Sequence, residues 1–201
     1  MTTLQSHVQQ YDGLLQEAYM ALYFATKAQR KENHDIAMQN FWLTIDLYFE
    51  KIAKFSAFQC QKGCSHCCFD NPHGITGIEL ARILPLLRPA QKKMIVTQAA
   101  AFRALQKQHP KPQLEWKKQC HPCPLLENHQ CSIYSHRPLA CRSFFSLYSP
   151  DWCHPKHKNY QVNPQIDCDS LHALLVECAN KYDLPRSTDL LTGLASLLEE
   201  I

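Results

Sequence analysis

At 201 residues, 45% apolar and 19% charged, the chain has the size and composition of an ordinary globular protein with one sizeable core. Its net charge of +3 is too small to point to nucleic acid or an anionic membrane, and no apolar run approaches the roughly 20 residues of a bilayer span. The opening MTTLQSHVQQYDGLL lacks the basic-then-apolar pattern of a signal peptide, so a cytoplasmic location is expected.

In residues 3–30, apolar groups fall at Leu4, Val8, Tyr11, Leu15, Ala18, Leu22 and Ala25. These alternating steps of four and three draw one stripe down a helix. The polar link AQRKENHD follows, and a second stripe runs through Phe41, Ile45, Tyr48, Ile52 and Phe55. Two amphipathic helices joined by a short polar turn predict an antiparallel hairpin. Its stripes are read as core; the alternatives are a partner-binding groove or a dimer seam.

Thr76 and Glu79 have capping-box spacing and predict a helix from Gly77. A longer helix is expected from Pro89 to about Gln108, with proline at its first position. Residues 109–164 are rich in Pro, Cys, His and aromatics and hold no sustained period, so this stretch needs an organising agent such as a metal. Two further helices are expected, at 169–182 capped by Asp169 and at 187–200 capped by Ser187. No repeat and no strand pair is evident. The predicted class is mainly α: an N-terminal helical hairpin (1–58) packed on a cysteine-rich, metal-stapled helical domain with long irregular loops (59–201), or one compact domain overall.

Eleven cysteines stand in this chain. In a reducing compartment disulfides are disfavoured, an odd count weakens a complete disulfide framework, and clustered thiols point to metal. The first block, CQKGCSHCC, places Cys60, Cys64, Cys67 and Cys68 within nine residues. Spacings of two or three let sulfurs turn toward one centre, with Gly63 relaxing the backbone. The vicinal Cys67–Cys68 pair diverges unless the chain turns sharply or a second ion is present. The second block, CHPCPLLENHQCSIYSHRPLACRSF, holds Cys120, Cys123, Cys131 and Cys141. Together they could complete two tetrahedral sites, or one iron–sulfur cluster with thiols to spare.

The first block followed by CPLL…CSIYSHRPLACRSF resembles the YkgJ-type, CxxCxxCC-containing family of zinc- or iron-chelating proteins, over roughly residues 60–145. That resemblance implies a ligand set of Cys60, Cys64, Cys67, Cys68, Cys123, Cys131 and Cys141, holding zinc or an iron–sulfur cluster. It also aligns Tyr134, Arg137, Pro138, Arg142 and Phe144 with the rest of the signature. Arg137 and Arg142 could then neutralise an anionic thiolate centre or bind an anionic substrate beside it, and Tyr134 and Phe144 would wall the site from water. The first spacing is three residues where the family's name has two, and Cys120 lies outside the signature.

Cys168 and Cys178 are expected to pack as small apolar groups, whereas Cys153, flanked by His154 and His157, could complete a site. Eight of the eleven histidines fall between His66 and His157.

The function expected is metal binding, with biochemical activity open. The resemblance extends to flagellin lysine N-methylases, which makes an iron–sulfur enzyme an alternative. A metal-stapled module that binds a protein partner through the N-terminal helices is another. The Cys60, Cys64 and Cys67 spacing also matches the radical S-adenosylmethionine motif. That family expects an aromatic where this chain has His66, and a strand–helix barrel that is absent here. Five scattered glycines form no cofactor-binding loop.

Overall fold

The computed structural model describes residues 3–60, 64–154, 156–158 and 166–200. Gly63, with its expected role, lies outside them. The fold is mainly helical. Among the described residues no helix is long and apolar enough to cross a membrane.

The first stripe is divided. Helix α1 (Leu4–Gln9) opens with a capping box between Thr3 and Ser6, and α2 (Asp12–Lys27) begins after Tyr11, whose carbonyl accepts from Leu14 and Leu15. Gly13, in the first turn of α2, is a poor helix former and weakens continuity at this junction. Helix α3 (Lys31–Ile52) starts earlier than the polar link suggested, leaving three residues between the helices. Glu32 in its first turn suits a helix N-terminus, and Lys31 pairs with Asp35 one turn further on.

The expected hairpin forms, with its stripes buried. Ala18, Leu22 and Ala25 of α2 meet Phe41, Ile45, Tyr48 and Ile52 of α3, all fully out of water. The core they share takes in Leu171, Leu175 and Cys178 of α8 (Asp169–Lys181), together with Leu139 and Phe145. The hairpin is thus packed against the far end of the chain.

A second core lies under α4 (Gly77–Ile83), α5 (Pro89–Gln108), α6 (Pro112–Gln119) and α9 (Leu190–Glu199). Ile83, Ile95, Ala99, Phe102, Trp116 and Leu194 fill it. Gly193 lets α9 approach closely: a Cβ there would meet Leu80 at 2.5 Å and Thr188 at 2.4 Å.

Both predicted caps at the C-terminal helices are corrected. At α8 the Asp167 carboxylate accepts from the Asp169 N–H, and the cap position is Cys168. At α9 the cap is Asp189, accepting from Thr192 N–H at 2.9 Å, because Thr188 is held extended by pairing with Ile75. The stretch expected to be wholly irregular contains α6, α7 (Leu139–Arg142) and a small antiparallel hairpin of β1 (Leu126–Glu127) and β2 (Gln130–Cys131). Asn128 and His129 both take positive φ, 48° and 61°, as a two-residue hairpin turn requires.

Glu79 ties the two regions. Its buried carboxylate accepts from Thr76 N–H (2.8 Å) and the Thr76 hydroxyl (2.9 Å), completing the expected capping box. The other oxygen accepts from Leu139 N–H at 2.7 Å, fixing the start of α7 and hence Cys141. Replacing Glu79 by Ala strands two buried backbone donors. It is expected to cost about 2–4 kcal/mol in urea unfolding; an unchanged midpoint would remove this role from Glu79.

Candidate metal centre

The first cysteine block leaves α3 through turns at Phe55 and Phe58 and then runs into the 3-10 turn His66–Phe69. The segment after this turn is pinned to α9. Asn71 donates to Asp189 (2.8 Å) and accepts from Leu191 N–H (3.2 Å), while Pro72 accepts from Leu190 N–H. The second block is threaded along α6, the small hairpin and α7. One backbone bond joins the blocks directly, from Cys123 N–H to the Cys68 carbonyl at 2.7 Å.

Between them opens a cavity of about 1080 Å³. Cys60, Cys64, Cys67, Cys68, Cys123, Cys131 and Cys141 all line it, as do Cys153 and Cys168. None of the eleven cysteines is joined in a disulfide. Two lie away from the cavity lining. Cys120 closes α6 in the left-handed conformation (φ 54°), with its thiol toward the Lys117 carbonyl. Cys178 is fully buried in the hairpin core as a small apolar group, as expected.

Backbone donors face the sulfurs. The N–H two residues on points at the thiol of Cys64 (from His66), of Cys123 (from Leu125) and of Cys131 (from Ile133). Cys60 accepts from Ser146 N–H at 3.2 Å. Such donors stabilise thiolate over thiol, the form a metal takes.

Burial acts the other way. It pushes the Cys123 thiol up to about 12 and raises Cys131 and Cys141, with neighbouring thiols adding repulsion. Burial likewise raises Cys60 and Cys64, each also disfavoured by Cys67 and Cys153. Cys67 is the exception. A hydrogen bond from the Cys68 thiol holds its pKa below the ordinary value against the penalty of burial, and the Arg137 charge assists. Cys68, as donor, is raised correspondingly.

The arginines have different surroundings. Arg137 lies over the Tyr134 ring at 3.7 Å, lines the cavity and favours thiolate at Cys67, Cys131 and Cys141. Arg142 is buried and is not among the lining residues. It donates to the carbonyls of Ser135 (2.6 Å) and Arg137 (2.5 Å) and pairs with Asp46 of α3. Tyr134 lines the cavity but is 65% exposed, so its ring is a platform for Arg137 more than a seal. Phe144 contributes to the wall, and beside it Phe145 stacks on Phe58 at 4.5 Å.

Sequence reasoning did not single out Lys117 or His172, which also line the cavity. Lys117, 2.8 Å from Asp70, ties α6 to the first block. A lone lysine in a polar helix and a lone histidine in α8 carry no local signal for this. Cys153 was marked by its flanking histidines.

The profile of the CxxCxxCC family, described as "Putative zinc- or iron-chelating domain", matches residues 59–169, more than half of the chain. The chain belongs to this family. No curated protein and no solved structure matches it. In this CxxCxxCC protein, no three Cys, His, Asp or Glu side chains among the described residues stand as a closed ligand set. The fit to a metal therefore rests on donor chemistry: free thiols around one wall, backbone N–H groups aimed at sulfur, and Arg137 beside them.

Cys67 should be the first thiol alkylated by iodoacetamide in metal-free protein near pH 7, at least about tenfold faster than Cys123. Because its pKa is lowered, its rate should persist to more acidic pH than that of an ordinary cysteine. Peptide mass spectrometry across a pH series checks this. Equal labelling of Cys67 and Cys123 would contradict it.

Proposed function

We propose that this CxxCxxCC protein binds zinc or an iron–sulfur cluster through thiolates from both sequence blocks. The ligands are drawn from Cys60, Cys64, Cys67, Cys68, Cys123, Cys131 and Cys141. The observation that carries this reading is that all seven face one cavity as free thiols, from segments about fifty residues apart that meet at the Cys123–Cys68 backbone bond. All-thiolate ligation suits both zinc and iron–sulfur clusters.

The thiols ring the wall without closing on a point, so binding would draw them inward and couple metal affinity to the order of the whole region. Bound there, zinc would act as a closed structural staple or a Lewis acid, and a cluster would supply electron transfer. Arg137 would offset the negative charge of several thiolates, and the N–H groups of Leu125, Ile133, His66 and Ser146 would hold the sulfurs in orientation.

Anaerobically purified protein should contain zinc or iron by elemental analysis. A colourless solution means zinc; broad visible absorbance with acid-labile sulfide means a cluster. Cys123→Ser and Cys141→Ser should each lose metal. Removing metal with a chelator should lower the melting midpoint, by about 2–4 °C for each kcal/mol of binding free energy lost. Wild-type protein that holds neither zinc nor iron after reconstitution would refute the proposal.

A further inference from the structure

The hairpin of α2 and α3 carries a second apolar face, turned away from the core. Half of the large apolar side chains that the described residues expose stand on these two helices. On α3, Ile36, Asn40, Leu43 and Leu47 follow in steps of four, three and four, the spacing of a seam between packed helices. They lie opposite the buried stripe of Phe41, Ile45 and Tyr48. Ile36, Leu43 and Leu47 are 59%, 63% and 41% exposed, and Phe24 and Met20 of α2 are 58% and 39% exposed. A solvated helix face normally carries charge. Between Ile36 and Leu47 the exposed residues of α3 are Gln39, Asn40 and Leu43, all uncharged. Charge is depleted in this way at the centre of a protein–protein interface.

The face holds both halves of a fit. A shallow groove of about 280 Å³ is lined by Ala21, Phe24, Asn33, Ile36, Ala37 and Asn40. Four of these, Asn33, Ile36, Ala37 and Asn40, have the i, i+3, i+4, i+7 spacing of the hole that receives a knob from a facing helix. Leu43, the most exposed large apolar side chain of the two helices, stands as a knob further along α3. Knob and hole on one surface, displaced along one axis, are what two-fold pairing of like with like requires. Area points the same way. The exposed apolar side chains amount to roughly 500 Å², the size of an interaction patch rather than of scattered surface residues. With their polar neighbours the face reaches about 800 Å², the share of each partner in a standard interface.

We infer that the protein is a homodimer closed by antiparallel packing of α3 on its copy, with Leu43 of each protomer seated in the groove of the other. That register brings the two Asn40 amides together on the two-fold axis, where each can donate and accept, and lays Leu47 toward the partner's Phe24. An asparagine within an apolar seam fixes register and oligomeric state. None of these residues lines the thiol cavity, so the inference stands independently of metal binding.

The test is the solution mass of the full chain, by sedimentation equilibrium over a concentration series. The wild type should reach twice the chain mass. Leu43→Glu, a change at an exposed position of the protomer, should weaken self-association at least about thirtyfold with an unchanged circular dichroism spectrum. Asn40→Asp and Asn40→Lys should each be monomeric, because like charges then meet at the axis, and an equimolar mixture of the two should restore the dimer. A wild-type chain that stays monomeric throughout the series overturns the inference, whatever other protein this face then binds. A dimer that persists in Leu43→Glu places the contact elsewhere and overturns it too. A mixture of the Asn40 variants that fails to pair, beside a wild type that is dimeric, overturns the antiparallel register.

Discussion

A thiol buried beside other thiols gives up its proton reluctantly, because each new anion faces those already formed and little water screens them. This chain crowds nine thiols around one cavity and leaves all of them unbridged. Arg137 and the Cys68 thiol relieve that penalty at Cys67, while burial raises the pKa of Cys123, Cys131 and Cys141. A divalent cation or a cluster relieves it everywhere at once. The backbone N–H groups aimed at Cys64, Cys123 and Cys131 are already arranged for that charge state.

The helices serve this cavity from two sides. The core of α2, α3 and α8 reaches it through Leu139 and Phe145, and the core of α4, α5, α6 and α9 reaches it through Leu125 and Ile133. Glu79 spans the two at Leu139, and Arg142 clamps the turn before α7 onto Asp46 of α3. Segments with little regular structure of their own are thereby positioned by buried polar anchors on rigid helices. Such anchors are costly to break because each leaves a desolvated group unpaired.

Much of this was legible in the chain itself. The apolar periodicity of residues 3–55 announced the hairpin, the Thr76–Glu79 spacing announced α4, and Pro89 announced α5, since these signals are local and strong. The family signature was legible because it constrains residues besides cysteine. The caps of α8 and α9 were misassigned because tertiary pairing, Ile75 with Thr188 above all, shifted which acidic residue meets the first turn. The β1–β2 turn was missed because Asn128 and His129 lack the glycine that usually marks positive φ. The placement of Arg142 in a backbone clamp, unlike Arg137 on the cavity wall, depends on carbonyls and on Asp46, nearly a hundred residues away. Nothing in the local pattern separates the two arginines.

The most direct test of shared thiolate ligation is X-ray absorption at the edge of whichever metal the purified protein carries. The account predicts a first shell dominated by sulfur, at about 2.3 Å if the metal is zinc. A first shell made only of oxygen and nitrogen would contradict it, since such a metal would be held elsewhere and the thiols would be bystanders.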